Sequence, residues 1–82
     1  MKLLKFEASW CGPCKQLSMT MNDIDFPYPV EVIDIDKNQE AAMEYGVRGV
    51  PHLILMDDNN NIVKRIGGAV SKEKLIEELI PK

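Results

Sequence analysis

Apolar and polar residues follow one another along this chain in short blocks, and the period of the pattern alternates between that of a strand and that of a helix. Four short runs rich in apolar and β-branched side chains predict strands at residues 2–7, 30–35, 52–56 and 62–66. Between them lie stretches whose apolar residues recur at helical spacing, or whose polar residues predict turns. The pattern indicates one α/β domain spanning residues 1–82.

Helical spacing and capping residues predict three helices. The first covers residues 12–22, and a short second helix, capped by Asp36 or Asn38, runs through Tyr45. Ser71 caps the third helix. Four apolar residues of this last helix are expected to face the core, namely Leu75, Ile76, Leu79 and Ile80.

The resulting element order is β-α-β-α-β-β-α. A helical crossover joins the first two strands, which are therefore expected to be parallel. The polar residues 57–61 join the last two strands as an antiparallel hairpin. The expected architecture is a four-stranded mixed sheet flanked by helices.

Composition and charge narrow the possible partners. The 82 residues are 45% apolar and 28% charged, with a net charge of −3 and with acids and bases interspersed. This balance argues against a surface that binds nucleic-acid phosphates. No apolar run reaches the length of a membrane span, and residues 1–7 carry too many charges for the core of a signal peptide. We expect a cytoplasmic monomer without a nucleic-acid or membrane partner.

The sequence Trp10-Cys11-Gly12-Pro13-Cys14 carries the candidate chemistry. Pro13 suits the first turn of a helix, which places Cys11 beside unpaired N–H groups and the positive end of the helix dipole. Cys14 lies one turn further on, within reach of a disulfide with Cys11. One cysteine can attack a substrate disulfide, and the other can then release the product from the mixed disulfide. No bound cofactor is needed for this two-electron chemistry.

A metal site is the competing interpretation of the cysteine pair. One Cys-x-x-Cys pair supplies two ligands, whereas a closed zinc site needs four. His52 is the only histidine, and the chain has no third cysteine. We therefore expect no metal, and we interpret His52 as a side chain that lines a groove.

Several segments resemble the thioredoxin family, and the similarity covers nearly the whole chain from Leu3 onward. The matching segments are Trp10-Cys11-Gly12-Pro13-Cys14-Lys15, Asp34-Ile35-Asp36, Tyr45-Gly46-Val47-Arg48-Gly49-Val50-Pro51 and Gly68-Ala69-Val70-Ser71-Lys72. The resemblance implies a minimal, glutaredoxin-sized thioredoxin fold. It also implies a protein-disulfide reductase whose only redox group is the Cys11–Cys14 disulfide.

The resemblance assigns roles residue by residue. Cys11 is the attacking thiol, and Cys14 is the resolving thiol. Trp10 borders the substrate groove, and Gly68 is the family's glycine before the last helix. Val50 pairs through its backbone with an extended substrate strand, and Pro51 forms a cis peptide opposite the sulfurs. The Gly12-Pro13 pair between the cysteines resembles the reducing members of the superfamily.

The chain departs from the family beneath the disulfide. Lys5 stands where the family has a buried aspartate, Val32 where that aspartate has a lysine partner, and Glu7 where an aromatic residue is usual. One hypothesis is that Lys5 points toward the sulfurs and stabilises a thiolate by charge, with Glu7 or water as proton acceptor. The alternative is that Lys5 extends to solvent.

Three functions are compatible with these residues. The first is a disulfide reductase that acts on protein substrates and is recycled by thioredoxin reductase. The second is a glutathione-dependent, glutaredoxin-like protein, which Gly67-Gly68 favours, or a redoxin dedicated to one enzyme such as a ribonucleotide reductase. The third is a binding module without catalysis, which is disfavoured because a pair of exposed, reactive thiols is a liability on a scaffold.

Overall fold

The computed structural model of the chain describes residues 1–80. Within them, strands are formed by β1 (Lys2–Glu7), β2 (Val30–Asp34), β3 (His52–Met56) and β4 (Ile62–Gly67). The helices of the same range are α1 (Gly12–Asn22), α2 (Gln39–Glu44) and α3 (Lys72–Leu79). The predicted element order is confirmed, with boundaries that shift by one or two residues at most.

The strands form one mixed sheet in the order β2-β1-β3-β4. β1 is parallel to β2, with Leu3 opposite Val30, and antiparallel to β3, with Leu4 opposite Ile54. β3 and β4 form the predicted antiparallel hairpin. Since β1 is central, its end delivers the following loop to the middle of one sheet edge, which is where the cysteines lie.

Alternating side chains of β1 and β3 divide the core into two layers. One face of the sheet packs against α1 and α3 through a cluster made of Leu3, Leu17, Met21, Leu53, Leu55, Ile66, Leu75 and Leu79. The other face packs against residues in and around α2 through Leu4, Phe6, Ile54 and Met56. The central strands are therefore covered on both faces, which holds the end of β1 in place.

Helix capping follows the predicted chemistry. The Asn38 side chain accepts a hydrogen bond from the Ala41 amide at 3.1 Å, so Asn38, not Asp36, caps α2. The Ser71 hydroxyl accepts from the Lys74 amide at 3.2 Å and caps α3, as expected.

The prediction for the core face of α3 is wrong in part. Leu75 and Leu79 are buried as expected, but 40% of Ile76 is exposed, and Ile80 is the partly buried residue that ends the helix. The helix has only eight residues, and its contact with the sheet is a narrow stripe with a spacing of four. Ile76 is rotated by about 100° from that stripe.

Candidate active site

Cys11 is both the first residue of the redox pair and the N-cap of α1. Its backbone is extended, with φ −91° and ψ 106°, and its Sγ accepts a hydrogen bond from the Cys14 amide at 3.1 Å. Pro13 lies in the first turn, where its missing N–H costs nothing. The sulfur therefore takes the place of the side-chain oxygen that usually caps a helix.

The two cysteines form a disulfide, and their Cα atoms are 5.2 Å apart. Only 4% of Cys11 and 2% of Cys14 is exposed, so the expectation of two exposed thiols is wrong for this oxidised state. The reason is local packing, because Ala8, Ile35 and Val50 form a small apolar cluster around the pair. Little of the Cys11 surface is therefore in contact with solvent.

The loop before β3 provides the surface next to the disulfide. The Val50–Pro51 peptide is cis, and the Pro51 carbonyl accepts a hydrogen bond from the Gly68 amide at 3.0 Å. Gly68 has a φ of +90°, which L side chains rarely adopt. A shallow pocket of about 340 Å³ is lined by Val50, Pro51 and Gly68, among others. The three residues to which the resemblance gives substrate-side roles therefore lie at one surface.

Trp10 is 67% exposed and is held by one polar contact. Its indole Nε1 donates a hydrogen bond to the Asp36 carboxylate at 2.8 Å. Sequence reasoning considers Asp36 as a possible helix cap and as part of a family-like segment, but it misses this contact. The bond joins the loop before Cys11 to the loop after β2. It holds the indole ring of Trp10, the residue directly before Cys11, in one orientation.

Lys5 is buried, with 3% of its surface exposed, so the hypothesis that it extends to solvent is wrong. Its ammonium group donates to the Glu7 carboxylate at 2.5 Å and to the Ser18 hydroxyl. Ser18 in turn donates to the Cys14 carbonyl at 3.0 Å. Sequence reasoning missed Ser18, although its position four residues after Cys14 places both on one side of α1.

His52 follows the cis-proline and points toward Arg65, whose guanidinium lies 3.5 Å from the imidazole. Burial, followed by the positive charge of Arg65, holds the pKa of His52 below its ordinary value. The imidazole is therefore neutral near pH 7. His52 lines the pocket beside Pro51, which agrees with the interpretation of a groove residue.

Over residues 1–80, no cluster of three or more histidine, cysteine or acidic side chains has the arrangement of a metal site. Over the same range, no helix combines the length and apolar content required to cross a membrane.

A mixed four-stranded sheet that carries a Cys-x-x-Cys disulfide at a helix start, next to a cis-proline, defines the class of thioredoxin-fold dithiol proteins. The sequence model of the thioredoxin family matches residues 1–80. A thioredoxin of Pseudomonas aeruginosa is 38% identical over 77 residues, which cover 89% of this chain and 70% of the relative. A thioredoxin of Buchnera aphidicola is 42% identical with the same coverage.

Solved structures give the same result. A mutant thioredoxin from Halobacterium salinarum matches with a TM-score of 0.87 and 36% identity, over 95% of this chain and 70% of the other. A malarial protein matches with a TM-score of 0.81 and 25% identity, over 98% of this chain and 97% of the other. The chain belongs to the thioredoxin family. It is a thiol–disulfide oxidoreductase whose cysteine pair carries the electrons without a bound cofactor.

Proposed function

We propose that Cys11 is the attacking thiol and Cys14 the resolving thiol in the reduction of protein disulfides. The Cys11 thiolate attacks one sulfur of the substrate, a Cys11–substrate bond forms, and the first substrate thiolate leaves with the bonding electrons. Cys14 then attacks Cys11, which closes the Cys11–Cys14 disulfide and releases the second substrate thiolate. The substrate gains two electrons and two protons, and the protein loses the same number.

The observation that carries this assignment is the cap formed by Cys11. Its sulfur already accepts the Cys14 amide at the start of α1, where the helix dipole is positive. In the dithiol form, the same amide can stabilise a negative charge on that sulfur, whereas Cys14 lies within the helix, past the N-cap position. The first attack therefore falls to Cys11.

The surface beside the disulfide suits an extended substrate segment. We propose that the Val50 backbone pairs with such a segment, with Pro51 and Gly68 as the floor and Trp10 as a side wall. Strand pairing obtains affinity from main-chain hydrogen bonds, so one site can accept many sequences. We therefore expect substrates that differ in sequence but share an accessible disulfide.

The electron source and the compartment belong to the same proposal. Gly12 and Pro13, both exposed between the cysteines, are the pair that resembles reducing members of the superfamily. We propose that a thioredoxin reductase regenerates the dithiol, that the chain works as a monomer, and that it works in the reducing cytoplasm, where such a disulfide is transient.

Turnover of an insulin-type disulfide substrate tests the proposal. Thioredoxin reductase with NADPH should support multiple turnovers by the wild type and by the control Met19→Leu, a change on the exposed face of α1. Cys11→Ser should reduce the rate to background. Turnover with glutathione alone would instead assign the glutaredoxin-like alternative, and activity retained by Cys11→Ser would overturn the assignment.

A further inference from the structure

Within residues 1–80, Lys5 is the only charged or polar residue that is buried. Burying an ammonium group is costly unless it is paired and hydrogen bonded. Here the Glu7 carboxylate and the Ser18 hydroxyl provide both partners. Both requirements of the buried ammonium group are therefore met. Neither the attack by Cys11 nor the resolution by Cys14, as proposed above, involves these three side chains.

Two features link this network to the surroundings of Cys14. Ser18 bonds the Cys14 carbonyl from one helical turn below, and side chains four residues apart have Cβ atoms about 5–6 Å apart. Glu7 immediately precedes Ala8, which packs against Cys14 in the apolar cluster around the disulfide. The Ser18 hydroxyl thus connects the Lys5–Glu7 pair to the helical turn that carries the cysteine that has to lose a proton.

A groove connects the network to solvent, separate from the surface that we propose binds substrates. It has a volume of about 550 Å³ and is lined by Lys5, Glu7, Ser18 and residues of β2 and of the turn before it. It shares no lining residue with the pocket formed by Val50, Pro51 and Gly68. Glu7 is only partly buried, so its carboxylate reaches the water of this groove.

We propose that the Lys5–Glu7 pair accepts and exports the proton of Cys14 through this groove during the resolving step, an inference that rests on the proposed order of the two cysteines. The Cys14 proton passes to the Glu7 carboxylate, which lines the groove. The Cys14 thiolate then attacks Cys11, the Cys11–substrate bond breaks, and the substrate thiolate leaves with the electron pair and later takes a proton from solvent. Glu7 returns its proton to the groove.

Lys5 is the positioning residue of this arrangement. Its ammonium group fixes the Glu7 carboxylate on one side and the Ser18 hydroxyl on the other, and its charge favours a thiolate on Cys14. Because proton exit lies away from the Pro51 surface, the resolving step remains possible while a protein substrate covers that surface.

Rapid-quench single turnovers with a disulfide peptide separate the two steps. Loss of peptide disulfide reports attack by Cys11, and decay of the mixed disulfide, followed by mass spectrometry, reports resolution by Cys14. Glu7→Gln should leave attack unchanged, slow resolution by about 10²-fold at neutral pH and remove its acid-side pH dependence, since general acid–base catalysis contributes about 10²–10⁴-fold. Glu7→Asp should recover part of the rate.

Two further variants keep the test decisive. The control Glu31→Gln removes an exposed carboxylate of β2 and should match the wild type. Lys5→Met/Glu7→Gln removes both charges, so no unpaired ammonium group remains to unfold the chain, and it should also accumulate the mixed disulfide. Normal resolution and an unaltered pH profile in folded Glu7→Gln would overturn the inference alone. Absence of any mixed disulfide in Cys14→Ser, which lacks the resolving thiol, would overturn the proposed function itself.

Discussion

Replacement of Gly68 by alanine tests how the loop beside the disulfide is built. Gly68 has a φ of +90°, and no atom lies within 4 Å of an added Cβ, so the change introduces backbone strain without a clash. Such a conformation costs an L residue about 1–2 kcal/mol. The control Gly49→Ala also has open space for a Cβ, but its φ is not positive.

Comparison of the two variants isolates the strain. Both lose the same flexibility of glycine in the unfolded chain, a term worth about 0.4–1 kcal/mol that cancels in the difference. We expect Gly68→Ala to be less stable than Gly49→Ala by about 1–2 kcal/mol. For a chain of this size, that corresponds to a melting temperature lower by about 4–16 °C. Equal urea midpoints for the two variants would refute the strain argument.

Two other predictions concern titratable groups that are partly buried. The Tyr28 hydroxyl donates to the Leu79 carbonyl at 2.5 Å, and burial raises the pKa of Tyr28, so the wild type should lose stability as the pH rises past 10. Tyr28→Phe should lower the free energy of unfolding by about 0.5–1.5 kcal/mol at pH 7, because one hydrogen bond is lost. In urea titrations the variant should not lose stability above pH 10, and a pH dependence equal to that of the wild type would contradict the prediction. The pKa of His52 is lower in the folded chain than in the unfolded chain. As the pH falls below 6.5, the imidazole is therefore protonated in the unfolded chain before it is protonated in the folded chain, and the free energy of unfolding decreases. His52→Gln should show a shallower fall over that range in the same assay, and identical slopes would argue against the assignment.

Most of the architecture could be predicted because it depends on local patterns. Strand runs, the Ser71 cap and the polar hairpin turn each specify structure within a few residues, and the helical crossover makes the first two strands parallel. The cysteine motif likewise fixed the position of the disulfide, since a spacing of three at a helix start brings the sulfurs together. These features do not require knowledge of distant contacts.

The remaining features depend on residues that meet only in the folded chain. The bond from Trp10 to Asp36 joins positions 26 residues apart, so the acid was interpreted as a possible cap. Lys5 can be buried because Ser18 and Glu7 form hydrogen bonds with its ammonium group. Sequence patterns do not specify that these three side chains lie next to one another. Ile76 is exposed because the short helix α3 contacts the sheet along a narrow stripe. Helical periodicity alone predicts a wider contact that would include Ile76.

The most direct test of the central claim is to trap the intermediate with a protein disulfide substrate. Cys14→Ser should accumulate a mixed disulfide through Cys11, identified by mass spectrometry after proteolysis, because nothing remains to resolve it. Cys11→Ser should form no such adduct, since the remaining thiol lies within α1 and not at the N-cap, where a backbone amide favours a thiolate. An adduct on Cys14 in the Cys11→Ser protein, together with none on Cys11 in the Cys14→Ser protein, would contradict the assigned order.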